Sequence, residues 1–264
     1  MADVGDIRYK FLSDEAAKRI YRDHPQMKAS SDDYCPTCLK EGTYFWKGEK
    51  HECDCEMQLQ LYKHYLAAGI GENYQRLSWA DYEGDPKLKG ALDLYLEQHE
   101  RFASRGVGVL LYGGYGVGKT FGVTMLLKDL VKEGYRCYAT TFAAMIEMFT
   151  AGWKNPEEQR FFQQNVVRSD ILLLDDVGRE LRNRSKLSES TFDDTLRQRV
   201  QNGRPTFITT NMSLGELQEG YGSAILSLLR EVSMNYELKG TDFRPTANRR
   251  MMSEIMAGET RPIV

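Results

Sequence analysis

The stretch Val107-Gly-Val-Leu-Leu-Tyr112, followed by Gly113-Gly-Tyr-Gly-Val-Gly-Lys-Thr120, decides the fold. The short apolar run reads as a buried strand. The octapeptide after it fits G-x-x-x-x-G-K-[ST], and Phe121, Val123, Leu126, Leu127 and Leu130 then recur at helical spacing. Strand, glycine loop and helix in that order make a phosphate cradle. Glycine lets successive backbone N–H groups turn inward without a Cβ in the way, and the helix N-terminus adds its partial positive charge. Lys119 is expected to neutralise the β- and γ-phosphates of a nucleotide, and the Thr120 hydroxyl to complete the shell of a Mg²⁺ ion. Gly113, Gly114, Tyr115, Gly116, Val117 and Gly118 supply the backbone of the cradle. A glycine-rich turn that binds nothing is the alternative, and the full match between strand and helix argues against it.

A second apolar run, Ile171-Leu-Leu-Leu174, ends in Asp175-Asp176. In open α/β sheets ligands sit beyond the C-terminal ends of the strands, so paired acids there are expected to serve the nucleotide. Asp175 is assigned to Mg²⁺, and Asp176 to orienting or deprotonating the attacking water. Taken alone, the pair also reads as a solvated turn. Together the two motifs predict a nucleoside triphosphatase.

Outward from these motifs, short apolar runs alternate with amphipathic stretches. Strands are expected at 107–112, 136–140, 170–174, 205–209 and 236–238, and helices at 88–103, 119–132, 142–149, 157–167, 189–201, 214–220 and 223–232. That is the α/β pattern of a parallel sheet flanked by helices. The 264 residues divide into a polar segment 1–56, a helix and linker 57–76, a nucleotide-binding domain 77–244 and a tail 245–264. The linker is read at Gly69-Ile-Gly-Glu-Asn73, and the tail as a short helix with a frayed end.

The chain carries 35 Lys+Arg against 38 Asp+Glu, a formal net charge of −3. This excludes coating nucleic acid by bulk charge and leaves room for a local basic patch. Candidates for such a patch are Arg179, Arg182, Arg184 and Lys186, just after the acid pair, with Lys154 and Arg160. No apolar run approaches the ~20 residues of a membrane span, and the first residues lack a signal core. A cytoplasmic protein with no membrane partner is expected.

Four of the five cysteines cluster as Cys35-Pro-Thr-Cys38 and Cys53-Asp-Cys55. Two close pairs supply four sulfurs for a tetrahedral Zn²⁺, with His51 as an alternative ligand. Four protein sulfurs leave no open position, so the zinc is expected to be structural. A segment this small gains its stability from the metal. Cys137 lies in a predicted strand and reads as core.

Tyr112 to Thr120, Ile171-Leu-Leu-Leu-Asp-Asp-Val-Gly178 and Arg204-Pro-Thr-Phe-Ile-Thr-Thr-Asn-Met-Ser-Leu-Gly-Glu-Leu217 together resemble the AAA+ ATPases of the DnaC/IstB type. These are bacterial and phage replicative-helicase loaders and related transposition ATPases. The resemblance runs from about residue 77 to 244. It implies ATP as the nucleotide, a P-loop AAA+ core with the helical lid absent or minimal, and homo-oligomers with nucleotide at subunit interfaces. Asn211 takes the sensor position, its amide reaching the γ-phosphate and the lytic water; without the resemblance, an Asn that caps the next turn is the plainer reading. Arg230 is the candidate arginine finger, although the family pattern would place that arginine at Leu228, and a surface pairing with Glu231 or Glu237 is the alternative. Arg244 is the candidate second sensor. Asp176 stands where many relatives carry Glu, which implies slow hydrolysis and ATP used as a switch.

The partners implied are a DnaB-type replicative ring helicase, engaged through the zinc module, and single-stranded DNA. The function implied is deposition of the helicase on that strand. Two other readings stay open: a transposition-targeting ATPase on double-stranded DNA, and a regulatory module that binds ATP with negligible hydrolysis.

Overall fold

In the computed structural model, the described residues are 12, 14–27, 34–178 and 186–264. Helix α1 (Asp14–Asp23) precedes a hairpin, β1 (Thr43–Trp46) and β2 (Glu49–Glu52), and the helices α2 (Cys55–Ala67) and α3 (Glu72–Gln75). Helices α4 (Pro86–Glu97) and α5 (His99–Ser104) lead into the alternating region: β3 (Gly108–Gly113), α6 (Lys119–Lys132), β4 (Cys137–Thr141), α7 (Phe142–Ala151) and α8 (Pro156–Phe162). It continues through β5 (Ile171–Val177), α9 (Lys186–Gln201), β6 (Thr206–Thr210), α10 (Leu214–Tyr221), α11 (Ser223–Val232) and β7 (Ser233–Leu238), and a single helix follows, α12 (Arg244–Met256).

All five expected strands join one sheet in the order β4-β5-β6-β3-β7, every pair parallel. Successive side chains of a strand point to opposite faces, and these strands are apolar on both. Val109, Leu111, Ile171, Leu173 and Phe207 enter one core with α2, α4 and α6. Leu110, Leu172, Leu174 and Ile208 enter the other with α7, α9, α10 and α11. Because all strands run the same way, their C-terminal ends, with the glycine loop and the acid pair, meet along one rim.

Three local expectations need correction. The helix read over 88–103 is two helices that break at Gln98, where the backbone leaves the helical region and Tyr95 stacks on Phe102 at 4.8 Å. The helix read over 157–167 ends at Phe162 and passes into a π turn, Gln163–Val167, whose last carbonyls accept from the buried Arg199 guanidinium. Helix α1 falls in a segment read only as polar and turn-rich; its Ile20 is buried in the core shared with α2.

The segment read as a linker is packed. Ile70 is buried, and Ala139 N of β4 donates to Ala68 O at 2.7 Å. Gly69 has φ +69°, and a Cβ there would collide with the Ala139 carbonyl. The tail does not fray either. Ile263 is buried, Val264 N donates to Gln75 O, and Tyr65 Oη donates to Val264 O at 2.9 Å. Gln58, buried on α2, holds both backbone polar groups of Ile263, accepting from its N–H at 2.7 Å and donating to its carbonyl at 2.9 Å. These partners lie too far off in the chain for any local pattern to announce them.

Candidate functional site

The rim of the sheet opens into a cavity of about 1530 Å³. Its floor is the loop between β3 and α6. Gly116 turns with φ +70°, and a Cβ there would fall on the Asp242 carboxylate, so glycine lets the loop that follows β7 close over the cradle. Phe243 N donates to Gly116 O at 3.0 Å across that approach.

Lys119 opens α6 and is only 6% exposed. Its ammonium donates to Gly113 O at 2.9 Å, to Gly114 O and to Asn211 Oδ1 at 2.8 Å. Burial lowers its pKa, while Asp175 and Asp176 work the other way. Thr120 Oγ1 donates to Asp175 Oδ1 at 2.9 Å. The strand carrying the acids is irregular here: the β5–β6 register shifts between Leu174 and Val177, and Asp176 takes φ +59°. Such a bulge re-aims side chains, and this one sends both neighbouring carboxylates into the cavity.

Asn211, at the end of β6, spans the site. Its Oδ1 accepts from Lys119, and its Nδ2 donates to Asp176 Oδ1 at 2.7 Å. It therefore links the cradle cation to the acid assigned to the water and does not merely cap a turn. Thr209, which the sequence did not single out, donates through Oγ1 to Asp175 Oδ1 and accepts from Asp176 N at 3.0 Å. Burial raises the Asp175 pKa, and the bonds from Thr209 and Thr120 oppose that shift.

The residues fit a Mg²⁺–nucleotide. Backbone N–H groups, a buried ammonium and a helix N-terminus face the place of the phosphates, and Thr120 and Asp175 offer adjacent hard oxygens for the cation. Beyond Thr120 the wall turns aromatic. Phe121 meets Tyr82 at 5.6 Å and Tyr74 at 6.3 Å between ring centroids. The sequence signal for this wall was weak, because Tyr74 and Tyr82 precede the phosphate loop by some thirty residues or more.

Arg244 lines the same cavity at the start of α12. Arg230 is exposed on α11 outside it and, among the described residues, forms no ion pair with Glu231 or Glu237; Glu237 pairs with Lys239 at 3.0 Å. Lys154, Arg160 and Lys186 are exposed. Arg179, Arg182 and Arg184 lie outside the described residues.

A second constellation lies at the hairpin. Cys35, Cys38, Cys53 and Cys55 bring their sulfurs within 4.8 Å of one another. Cys35 and Cys53 are 3.6 Å apart, and Cys38 and Cys55 are 3.5 Å apart. Ligands about 2.3 Å from a tetrahedral zinc are about 3.8 Å from each other, so the donor set fits Zn²⁺. The hairpin turns on Lys47 and Gly48, both at positive φ, which returns Cys53 to the first pair. Burial raises the Cys53 thiol pKa, and the hydrogen bond to Cys38 raises that of Cys55, to about 11. Cys38 moves the other way, to about 7, because burial is outweighed by its hydrogen bonds, so one thiolate is accommodated and several adjacent ones are disfavoured without a cation. His51 is no fifth member: its Nε2 lies 3.0 Å from Trp46 O, and its ring stacks on Tyr44. Cys137 is buried in the core, as read.

A parallel β4-β5-β6-β3-β7 sheet with a phosphate loop after β3 and acids ending β5 has the AAA+ fold. The chain belongs to the family described as IstB-like ATP binding protein, whose profile matches residues 96–240. It is 25% identical over 155 residues to the replicative helicase loader DnaI of Bacillus subtilis (strain 168), covering 58% of this chain and 48% of that protein. The chain thus spans about half the length of that relative. The fold is similar to a crystal structure of the DnaC helicase loader, with TM-score 0.58, 23% identity, and coverage of 64% of this chain and 100% of that one. It is also similar to a crystal structure of DnaI, with TM-score 0.55, 20% identity, and coverage of 66% and 94%. Domain III of the Thermotoga maritima replication initiation protein DnaA gives TM-score 0.55 at 20% identity, covering 72% of this chain and 77% of that one.

Proposed function

We propose that the protein is an ATP-dependent loader that binds a replicative ring helicase and deposits it on single-stranded DNA. The observation that carries this reading is the Lys119–Asn211–Asp176 chain. A γ-phosphate entering the cradle competes for the Lys119 ammonium and frees the Asn211 amide, so the presence of ATP changes the bonds at the ends of two strands. Switch-like use of ATP suits a loader, which must hold a partner and then release it. The likeness to DnaI and DnaC supports the same reading.

In this proposal Lys119 and the 113–118 backbone bind the phosphates, Thr120 and Asp175 hold Mg²⁺, and Asp176 orients water. The shorter reach of Asp176 compared with Glu makes hydrolysis slow. Asn211 reports the γ-phosphate, Arg244 reaches it from α12, and Arg230 serves the nucleotide of a neighbouring subunit in a homo-oligomer. Zn²⁺ held by the four cysteines keeps the 34–56 segment folded for helicase contact, while the positive charges of Lys154, Arg160, Arg179, Arg182, Arg184 and Lys186 serve binding of the DNA strand.

Mass photometry of the protein mixed with the replicative helicase of its source is expected to show a complex whose population depends on ATP. Phosphate release is expected to be slow and to vanish in Lys119→Ala and Asp176→Asn. No helicase complex, together with ATP-dependent retention of double-stranded DNA, would replace the loader with a transposition-targeting ATPase.

A further inference from the structure

Lys128 is a buried cation that the chemistry above does not use. It lies two turns along α6 from Lys119 and is 2% exposed. Among the described residues no carboxylate pairs with it. Its ammonium instead donates to three backbone carbonyls of one short segment: Tyr74 O at 3.0 Å, Gln75 O at 3.0 Å and Leu77 O at 2.5 Å. An ammonium has three protons and no acceptor, so this arrangement uses it completely. The Tyr65 ring of α2 covers it at 5.2 Å. Burying an unpaired lysine is costly, and burial pushes its pKa down to about 7, with Lys132 adding to the shift and Asp129 and Asp81 opposing it. A methionine would fill the same space without that cost, so packing alone does not account for a lysine here.

The segment it holds is one wall of the nucleotide cavity. Asn73, Tyr74, Arg76 and Leu77 line the cavity together with Thr120 and Phe121. This wall lies beyond the phosphate cradle, on the side where Tyr74 meets Phe121, and Tyr74, Leu77 and Phe121 give it aromatic and apolar side chains of the kind that receive a base. The start of the segment has other support, since Tyr74 N and Gln75 N both donate to Gly71 O, Leu77 N to Tyr74 O and Val264 N to Gln75 O, whereas Lys128 is the donor to Leu77 O at its far end.

We propose that Lys128 is a positioning residue that fixes the 73–77 wall against the base and ribose of the bound nucleotide, so that it sets affinity for the nucleoside part and not for the phosphates. The proposal rests on the reading of the cavity as an ATP site. Lys128 touches no ligand in this scheme; it acts through the carbonyls of Tyr74, Gln75 and Leu77. Losing its donors strips Leu77 O of its partner and takes one of the bonds from Tyr74 O and from Gln75 O, so the segment is held less firmly, which spoils the base side and leaves the loop at 113–120 in place.

The test compares ATP with inorganic tripolyphosphate, which has the phosphate chain and no nucleoside, by calorimetry on the full chain. Lys128→Met is expected to weaken ATP about tenfold, the scale of one lost buried hydrogen bond, and to change tripolyphosphate by less than about twofold. Lys128→Arg, which keeps a multi-donor cation, is expected to recover most of the ATP affinity. Lys119→Ala is expected to lose both ligands. An unchanged ATP-to-tripolyphosphate ratio in Lys128→Met, or an equal fall for both ligands, overturns the positioning role. ATP binding that survives Lys119→Ala overturns the reading of the site itself. If Lys128→Met gives no cooperative melt, hydrogen exchange on the wild-type protein decides. Slowed exchange at 73–77 with ATP but not with tripolyphosphate supports the proposal, and equal exchange with the two ligands overturns it.

Discussion

Gln58→Leu isolates the docking of the C-terminal segment. Gln58 is 4% exposed and makes three bonds: Thr37 Oγ1 donates to its Oε1 at 2.5 Å, and its amide joins both polar groups of Ile263. Leucine removes all three at similar volume. If the segment stayed docked, the Thr37 hydroxyl and the Ile263 N–H and carbonyl would be buried without partners, at about 1–3 kcal/mol each. Release instead exposes Ile263, worth about 2–3 kcal/mol, and gives up the bonds from Val264 N and Tyr65. It also returns backbone freedom of about 1–2 kcal/mol per residue to the few residues freed. Release wins. The net loss is then about 2–4 kcal/mol, which in a chain of this size lowers Tm by roughly 4–7 °C. Calorimetry reads that loss, and hydrogen exchange at Ile263 and Val264 reads the release. Amides as protected as in the wild type, with Tm within about 1 °C, would refute the reasoning.

Three further outcomes are expected. Asn211→Ala keeps ATP binding and slows phosphate release about 10²-fold, the scale of one lost preorganised donor, measured by a coupled phosphate assay. Arg199→Met costs about 3 kcal/mol or more in denaturant unfolding, because five acceptor residues around a fully buried guanidinium lose their donor: Val166, Val167, Ser169, Pro205 and Thr206. A strong chelator under reducing conditions releases zinc detectable by a chromogenic dye and lowers Tm, and Cys38→Ser purifies without the metal.

The parts of this molecule legible in the sequence are those fixed by neighbours in the chain. Residues 113–120 carry their own backbone requirement, and Ile171 to Asp176 carries an apolar run and its ending, so strand, loop and acid pair could be placed from local pattern alone. The two cysteine pairs were legible for the same reason. What escaped depends on distant partners. Thr209 looks like any β-branched strand residue until Asp175 is beside it. Arg199 looks like a surface charge until the π turn before β5 supplies its acceptors. The 260–264 segment has no periodicity, and its meaning lies in Gln58, Tyr65 and Gln75. The division at residues 56, 76 and 244 followed changes in composition, yet α2 and Ile263 share the core that also contains Val109 and Leu111.

The outer margin of a terminal strand ordinarily recruits foreign strands. At β4 the Ala139 amide is already taken by Ala68, and Gly69 lies flush against the neighbouring carbonyl. An extended peptide approaching that side meets an amide already paired and a backbone pressed against the strand, so strand addition is blocked at the middle of β4.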